Sequence, residues 1–506
     1  MPVLKGSGSP VVGLDIGSNY IKVVEARLGK DRAVVTALGV MPTPSDTVDN
    51  NVILDPVGLG AAIRKLLDQS GVKTRKVVST IASQSSLVVR IIPVPKMTRS
   101  ELEETMKWEV ERHVPFQPGE IIRDFQPLTR PEDVPEGGQM EVLLAVAQDG
   151  FVNQHVAALR AAGLEPVAID IQPLALSRAL LDLANSSSSD GEVAVVNLGA
   201  NVSEIDIYRG GILAFTRALP LAGNTFTRAI SDLMGAPLDV AERLKKEYAH
   251  VPEGAQIASE ADFGANFDFG APADDQTVHF GAPEPALGGA AKPAAPALPG
   301  DMPDFAAGGF GAAPPGGFRD TTEGPVFDLG LSPDEEPEAK PRHVFDLSDA
   351  GAAPASPANP FADTQFANPF DPTGATHPVP VQPVYGGGED AALSQQIADA
   401  ITPVLGELVT ELRRSLDYYR SRGQGPGAQR IILCGGTAAL PGLGPFLSAQ
   451  LGLPVELANP LANVQLAAKV EPGYAAEVAP VFPVSLGLAV REMLVDAPAR
   501  RGGKKR

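Results

Sequence analysis

The sequence has 506 residues, 44% of them apolar and 5% aromatic, and a formal net charge of −20. This length allows more than one domain, and the negative charge argues against nucleic acid as a partner, because general nucleic-acid binders need a basic face. One cysteine, Cys434, excludes an intramolecular disulfide and is predicted to be a buried strand residue. No segment has the pattern of a signal peptide or a membrane span. We therefore expect a cytoplasmic protein that reaches a membrane through a partner or a peripheral contact.

Strand and helix patterns alternate along most of the chain and form two similar halves. In chain order, the predicted elements are strands Val11–Glu25 and Ala33–Val40, helix Pro56–Gln69, strands Lys76–Ala82 and Ser86–Val94, a helix from Thr98 to about His113, strands Ile121–Leu128 and Glu141–Ala147, helix Phe151–Ala162, strand Val167–Ile171, helix Leu174–Leu183, strands Val193–Leu198, Glu204–Tyr208 and Ile212–Leu219, and a long helix whose apolar face runs from Leu393 to Leu416. Thr98 and Glu101 are predicted to form a capping box. Met106 and Trp108 of the same helix are predicted to be core residues.

The composition changes sharply at residues 251–390, which hold 22 Asp and Glu against 4 Lys and Arg, and 22 of the 48 Pro. Such a chain buries too little apolar surface to offset its conformational entropy, so we predict a disordered acidic insertion rich in Pro and Gly. It also contains 12 of the 19 Phe, several in acidic repeats such as Phe327-Asp328-Leu329 and Phe345-Asp346-Leu347. We interpret the repeats as low-complexity sequence that has drifted without a function. The alternative interpretation is that they are weak docking motifs for a partner.

This order predicts a duplicated α/β architecture with a cleft between two lobes. The predicted division is a first lobe of residues 10–95 and 164–190 with 482–495 packing back on it, a small α+β insert subdomain of 96–163, a second lobe of 191–250 and 391–481, the insertion 251–390, and a basic tail of 496–506.

The first strand pair encloses a glycine turn, Asp15-Ile16-Gly17-Ser18-Asn19. Gly17 lets backbone amides approach phosphate oxygens, and Ser18 and Asn19 can donate hydrogen bonds from the same turn. Asp15, at the end of a buried strand, can hold hydrated Mg²⁺, and Lys22 could reach a terminal phosphate. On its own this pattern is common in hairpins and has little specificity.

Two further glycine turns make the pattern of the first one more specific. Asn197-Leu198-Gly199-Ala200-Asn201 opens the second half, and Cys434-Gly435-Gly436-Thr437 follows a later strand. Between them, Glu242 and Lys245 are three residues apart and share one face of a helix. Three glycine turns at strand ends in two lobes, together with this helix, predict a nucleotide clamp in the order and spacing of the actin and sugar-kinase superfamily.

Five segments carry a more specific resemblance. They are GLDIGSNYIKVVEA at 13–26, KMTRSELEETMKWEVERHVPF at 96–116, AGNTFTRAISDLMGAPLDVAERLK at 222–245, RRSLDYY at 413–419 and FPVSLGLAVRE at 482–492. They resemble the PilM family of type IV pilus assembly, which is related to the FtsA family of cell division. The resemblance covers roughly residues 10–250 and 390–495. It implies an actin-like fold of two ribonuclease H-like lobes and a role in pilus biogenesis, including twitching motility and DNA uptake.

The resemblance also implies ligands and partners. ATP with Mg²⁺ would be held by a first phosphate loop of Asp15, Gly17, Ser18, Asn19 and Lys22, with Asp15 as the metal ligand, by a second loop of Asn197, Gly199, Ala200 and Asn201, by Glu242 and Lys245 at the ribose, and by Gly435, Gly436 and Thr437 beside the adenine. The implied partner is the cytoplasmic tail of a PilN-like inner-membrane protein, bound beside the insert subdomain. Other pilus inner-membrane proteins and the assembly ATPase are further candidates.

Asn197 departs from the superfamily pattern, which has Asp at this position. An amide brings no negative charge to Mg²⁺, so we expect ATP binding with weak or absent hydrolysis, and we assign no catalytic residue. Two alternatives to a scaffold are an FtsA-like filament at the membrane and a sugar kinase or phosphatase. The short polar segment from Leu494 disfavours the first, because FtsA relatives usually end in an amphipathic helix. The lack of a catalytic carboxylate motif for a sugar hydroxyl disfavours the second.

Overall fold

A computed structural model describes residues 2–4, 9–82, 86–114, 116, 120–129, 134–184, 191–252, 388–423 and 425–496. The predicted disordered insertion and its Phe repeats lie outside these residues, apart from 251–252 and 388–390 at its two ends. The predicted basic tail also lies outside them, apart from Asp496.

The strands predicted from the sequence occur in the predicted order, and the described residues also form six short strands of two or three residues that were not predicted. In chain order, the strands are β1 Pro2–Leu4, β2 Val11–Ile16, β3 Tyr20–Leu28, β4 Ala33–Pro42, β5 Val48–Asp49, β6 Val52–Ile53, β7 Lys76–Ile81, β8 Leu87–Pro95, β9 Ile121–Pro127, β10 Gln139–Gln148, β11 Glu165–Ile171, β12 Glu192–Leu198, β13 Ser203–Arg209, β14 Ile212–Leu219, β15 Arg430–Cys434, β16 Val455–Leu457, β17 Gln465–Leu466 and β18 Leu494–Asp496. The helices are α1 Pro56–Ser70, α2 Arg99–His113, α3 Asp149–Ala161, α4 Gln172–Ser177 with a π turn at Arg178–Asp182, α5 Gly223–Met234, α6 Leu238–Tyr248, α7 Gly388–Ser421, α8 Leu443–Leu451, α9 Pro472–Val478 and α10 Pro483–Ala489.

The two large sheets repeat one arrangement. The first has the order β11-β7-β2-β3-β4-β17 and the second the order β16-β15-β12-β13-β14. In each sheet, three consecutive strands form an antiparallel meander. A later strand pairs in parallel with the first strand of the meander, and another later strand pairs in parallel with that one. This is the duplicated ribonuclease H-like architecture of the actin-like fold, and it confirms the predicted fold class.

The duplication extends to individual positions in the first hairpin of each sheet. Asp15 lies opposite Lys22 on β2 and β3, and Asn197 lies opposite Glu204 on β12 and β13. In both hairpins the turn glycine follows two residues later, at Gly17 in the first and at Gly199 in the second. The two hairpins therefore present equivalent positions from opposite lobes, although the side chains at these positions differ in charge.

The insert subdomain differs from its predicted boundaries at both ends. Strand β8, assigned from the sequence to the first lobe, pairs with β10 in a separate sheet of order β8-β10-β9, which α2 covers. Helix α3, assigned to the insert, packs instead in the core of the first lobe with α1. Pro95 ends β8, and in the sequence this proline indicates a boundary between the first lobe and the insert. The pairing of β8 with β10, which is distant in sequence, instead makes β8 part of the insert. Strand β17, assigned to the second lobe, pairs with β4 of the first.

The predicted capping box of Thr98 and Glu101 begins helix α2. Met106 is 1% exposed, as predicted, but the prediction for Trp108 is wrong, because its side chain is 69% exposed. Leu102, Met106 and Val110 repeat every four residues and form the buried face of the helix. Trp108 falls on the opposite face, which places an aromatic ring on the surface of the insert.

A buried histidine supports strand β2 just before Asp15. Ser79 donates a hydrogen bond to the Leu14 carbonyl (2.8 Å), so His155 Nε2, 2.9 Å from Ser79 Oγ, must be the donor of their bond. Burial lowers the pKa of His155 from 6.5 to about 4. The neutral imidazole therefore fixes β7 and α3 beneath the strand that carries the first glycine turn.

We expect His155 to make the fold acid-sensitive. Between pH 6.5 and about 4 the unfolded chain binds a proton that the folded chain excludes, so stability is fully present above pH 6.5 and is lost as the pH falls to about 4. The loss amounts to about 3 kcal/mol in the free energy of unfolding. Urea unfolding across this pH range should show a steeper dependence for the natural protein than for His155→Gln. Equal slopes would contradict the assignment.

Candidate functional site

A cavity of about 830 Å³ lies between the two lobes. All the residues predicted to bind nucleotide line it, namely Asp15, Gly17, Ser18, Asn19, Lys22, Asn197, Gly199, Ala200, Asn201, Glu242, Lys245, Gly435, Gly436 and Thr437. Three glycine turns and one helix, distant in sequence, thus surround one space. A single ligand can touch both lobes there.

The first glycine turn is held by its own backbone and by a neighbouring loop. The Gly17 amide donates to the Tyr20 carbonyl (3.1 Å), and the Gly17 carbonyl accepts from Thr43 Oγ1 (2.7 Å). Lys22 Nζ lies 3.0 Å from Asp15 Oδ2, as their cross-strand register dictates. The acid and the base therefore reach the cavity as an ion pair, with the Asp15 carboxylate buried.

The second glycine turn is tied to the start of α5 and to the third turn. The Gly199 carbonyl accepts from the Gly223 amide (3.0 Å) and from Thr437 Oγ1 (3.1 Å), and the Ala200 carbonyl accepts from the Asn224 amide (2.7 Å). These bonds fix the position of the second turn relative to β15 and α5. They also explain the position of Thr437, whose hydroxyl crosses from one turn to the other.

Five polar side chains connect the two phosphate-loop candidates across the cleft, and we call them the polar seam. Ser18 Oγ donates to Asn51 Oδ1 (2.8 Å) and accepts from Asn201 Nδ2 (3.0 Å). Asn224 Nδ2 donates to Asn201 Oδ1 (2.6 Å), and Asn224 Oδ1 accepts from Asn19 Nδ2 (3.3 Å). The seam holds the side-chain donors of both turns at one place between the lobes.

Helix α6 brings a cation and an acid to the second-lobe side of the cavity. Lys245 Nζ lies 2.6 Å from Glu242 Oε2 and donates to the Gly223 carbonyl (3.0 Å). Burial raises the pKa of Glu242, but the charge of Lys245 and the bonds from Lys245 and the Thr227 hydroxyl outweigh it, so this pKa lies below its usual value. The pKa of Lys245 is also lowered, because burial outweighs the attraction of Glu242.

Sequence reasoning missed several residues at this site. Lys246 Nζ accompanies Lys245 and donates to the Tyr20 hydroxyl of the other lobe (2.8 Å), and Asn51 and Asn224 complete the polar seam. Asn224 lies within the segment 222–245 that carried the family resemblance, so that resemblance could have indicated it. Asn51 had no such signal, since it lies in an irregular loop between short strands.

The third glycine turn has a backbone that only glycine adopts readily. Gly435 has φ of 93° and ψ of 171°, and its amide donates to the Pro480 carbonyl (2.9 Å). Gly436 faces open space, because a Cβ there would have no atom within 4 Å. The turn therefore exposes backbone to the cavity at Gly436.

Comparison with known proteins shows the family of this chain. A family model described as type IV pilus assembly protein PilM matches residues 13–258 and 393–493, which is more than half of the chain. The chain belongs to the PilM family. The stretch between the two matched regions includes most of the predicted insertion.

A solved structure of a PilM-PilN type IV pilus biogenesis complex is similar to this fold, with a TM-score of 0.62 and 26% identity, over 96% of this chain and 99% of that one. Curated relatives include the cell division protein FtsA of Bacillus subtilis, 26% identical over 47% of this chain and 58% of the relative. FtsA of Escherichia coli K12 is 24% identical over 46% of this chain and 59% of the relative. The matched region thus spans less than two thirds of either FtsA. These similarities confirm the relation to PilM and FtsA inferred from the sequence.

Proposed function

We propose that the protein is a nucleotide-binding scaffold of type IV pilus assembly that binds ATP with Mg²⁺ and the cytoplasmic tail of a PilN-like inner-membrane protein. The proposal of nucleotide binding rests on one observation, the cavity that three glycine turns and α6 line from both lobes. Membership of the PilM family and similarity to a PilM-PilN complex support the pilus part. Among the described residues, no helix has the length and apolar character to cross a bilayer. Attachment to the inner membrane through partners fits this observation.

The cavity suits a phosphate chain. A Cβ at Gly199 would lie 2.5 Å from the Val202 carbonyl, so the second turn is too tight for any side chain, and its backbone can approach a ligand. Ser18, Asn19 and Asn201 bring side-chain donors, and Lys22 brings a positive charge. A bound triphosphate would replace bonds of the polar seam with bonds to its own oxygens.

Asp15 is the residue that would hold Mg²⁺, through its carboxylate and ordered water, while Lys22 balances its charge. Bound Mg²⁺ would neutralise part of the charge of the phosphates. On the second-lobe side, Asn197 faces the same cavity without a charge. An amide instead of an acid at this position of the second glycine turn leads us to expect ATP binding with weak or absent hydrolysis, and therefore a scaffold rather than a turnover enzyme.

The insert subdomain provides the surface for a peptide tail. Its sheet ends in β8 on one side and β9 on the other, and such edges accept extended peptides through backbone hydrogen bonds. Strand β8 also lines the nucleotide cavity through Leu87, Val88, Val89 and Arg90. A ligand that moves β8 would alter the insert, and any such coupling acts equally in both directions.

Trp108 allows a direct test, because it is the one tryptophan of the sequence and lies exposed on the insert. We expect a synthetic PilN-type tail peptide to change Trp108 fluorescence and to bind with a different affinity when MgATP is present. Calorimetry should show ATP binding that Asp15→Ala weakens at least about tenfold, which is about 1.4 kcal/mol. Turnover without a partner should stay below the ordinary enzyme range of about 1–10³ s⁻¹.

Trp108→Phe controls for the optical signal, and its peptide affinity is then read by calorimetry. If the peptide binds neither in the presence nor in the absence of ATP, the scaffold proposal is contradicted. ATP-dependent polymers seen by light scattering, together with no peptide binding, would favour the FtsA-like alternative. Hydrolysis at ordinary enzyme rates would contradict the role given to Asn197.

A further inference from the structure

One carboxyl group on the floor of the cavity, Glu204, and one buried beneath it, Asp206, have oxygen atoms without the hydrogen bonds that buried polar groups normally have. Asp206 is 0% exposed, and neither of its side-chain oxygens has a hydrogen-bond partner. Glu204 Oε2 is also buried without a partner. A buried carboxylate without compensation is costly, so each such group requires an explanation.

Strand geometry brings the two groups together. Glu204 and Asp206 are two residues apart on β13, and alternation along a strand puts them on one face of the sheet. Glu204 lines the cavity opposite Asn197, and Asp206 lies one step deeper, opposite Val195 and Thr216. The pair thus extends from the cavity floor beside the second glycine turn into the space between the lobes.

The internal duplication shows that the fold itself does not need this pair. The hairpin of the first lobe pairs Asp15 with Lys22 and Gly13 with Val24, where the second lobe pairs Asn197 with Glu204 and Val195 with Asp206. Val24, which corresponds to Asp206, is a fully buried apolar residue. The second lobe therefore places a carboxyl where the same architecture accepts a valine.

Electrostatics oppose ionisation of both groups. Burial raises the pKa of Glu204 to about 7. Burial and the neighbouring charge of Glu204 raise the pKa of Asp206 well above its usual value, and the Thr216 hydroxyl only partly opposes this. Two like charges held so close need either a proton or a bound positive charge.

We infer that Glu204 and Asp206 form a binding site for a hard divalent cation such as Mg²⁺ or Ca²⁺, separate from the metal expected with the nucleotide at Asp15. Two carboxylates supply the charge that a divalent ion requires, and the Thr216 hydroxyl, the Asn197 amide oxygen and water can supply neutral oxygens. The inference does not depend on nucleotide binding. A cation here would give the second lobe a positive charge where the first lobe has Lys22.

The surroundings favour oxygen-binding metals over zinc. The described residues contain no group of three or more His, Cys, Asp or Glu side chains placed to hold a metal. Cys434, beside this pair, is fully buried, and burial and the nearby acids raise the pKa of its thiol far above the physiological range. A protonated thiol is a poor ligand, so the soft-metal chemistry of thiolates is not available here.

The test uses the full chain, stripped with EDTA, at pH 8 and without nucleotide. Mn²⁺ binding followed by electron paramagnetic resonance should show one ion per chain, displaced by Mg²⁺ or Ca²⁺. Asp206→Asn and Glu204→Gln should each weaken Mn²⁺ binding at least tenfold. Glu477→Gln is the matched control, because Glu477 is an exposed acid of the same cavity wall, and it should leave Mn²⁺ binding unchanged. Loss of binding in Asp15→Asn with retention in Asp206→Asn would assign the ion to the nucleotide metal site and overturn the inference.

A second measurement covers the case in which the polar variants fold poorly. Asp206→Val copies Val24 of the first lobe, so it should fold, and its melting temperature in EDTA should equal or exceed that of the natural protein. Mg²⁺ or Ca²⁺ should raise the melting temperature of the natural protein and not that of Asp206→Val. A rise that Asp206→Val retains, or that K⁺ produces equally at matched ionic strength, would show that the pair holds a proton or water instead of a divalent ion.

Discussion

Gly435→Ala is expected to abolish measurable nucleotide binding and to lower stability by about 2–4 kcal/mol. Its backbone, with φ of 93° and ψ of 171°, lies in a region open essentially to glycine alone. A Cβ would also lie 2.4 Å from the Leu198 carbonyl oxygen and 2.7 Å from Asn197 Oδ1. The third turn would have to move away from the second, and the part of the cavity beside this turn would lose its shape.

Gly436→Ala is the matched control for this prediction. It changes the neighbouring residue of the same turn, where a Cβ would meet no atom within 4 Å. Thermal melting should therefore be unchanged in Gly436→Ala, while calorimetry with ATP reports whether the added methyl group touches the ligand. Equal melting temperatures for the Gly435→Ala and Gly436→Ala proteins would contradict the tight approach of the two turns.

Gly487→Ala is expected to destabilise the first lobe by about 3 kcal/mol or more, enough to reduce the yield of folded protein. Helix α10 crosses α4 so closely that a Cβ at Gly487 would lie 1.8 Å from the Ala175 carbonyl oxygen. Backbone atoms on both sides cannot rotate away as a side chain can. The same helix packs on β2, where a Cβ at Gly13 would lie 1.9 Å from the Ser485 carbonyl oxygen.

Gly444→Ala provides the comparison, since Gly444 is also helical, in α8, and faces open space. There alanine should be neutral or slightly stabilising, because it reduces the entropy of the unfolded chain. Urea unfolding of both variants measures the difference. If Gly487→Ala unfolds at the same urea concentration as Gly444→Ala, the close crossing of α10 and α4 is not as described.

Local signals explain what could be predicted. Alternating and helical patterns set most strands and helices, and Asp15, Gly17 and Gly435 stood out because a glycine turn after an apolar strand is encoded within a few residues. The capping box of Thr98 and Glu101 is equally local. The sequence order of such signals was enough to indicate two lobes and a cleft, and the fold confirms both.

Long-range choices explain what could not be predicted. The sequence pattern of β8 is compatible with pairing in the first lobe and with pairing to β10. The choice between them depends on a partner strand some fifty residues away. Trp108 is exposed because Leu102, Met106 and Val110 form the buried face of α2, and which face of a helix is buried depends on the sheet it packs against. Amide side chains such as Asn51 have no periodicity, so their meeting with Ser18 in the polar seam depends on the folded cleft.

The ends of the long acidic segment meet on the second lobe. The Val251 amide donates to the Pro441 carbonyl (2.8 Å), while Ser394 Oγ of α7 donates to the Tyr248 carbonyl (2.9 Å), which joins the end of α6 to the start of α7. The chain therefore leaves and re-enters the lobe at neighbouring points. Because the cost of closing a loop grows only slowly with its length, genetic change between residues 252 and 388 can lengthen, shorten or replace this stretch without disturbing the lobes. The same position offers a permissive site for an internal reporter, such as a fluorescent protein, that would follow the molecule in living cells.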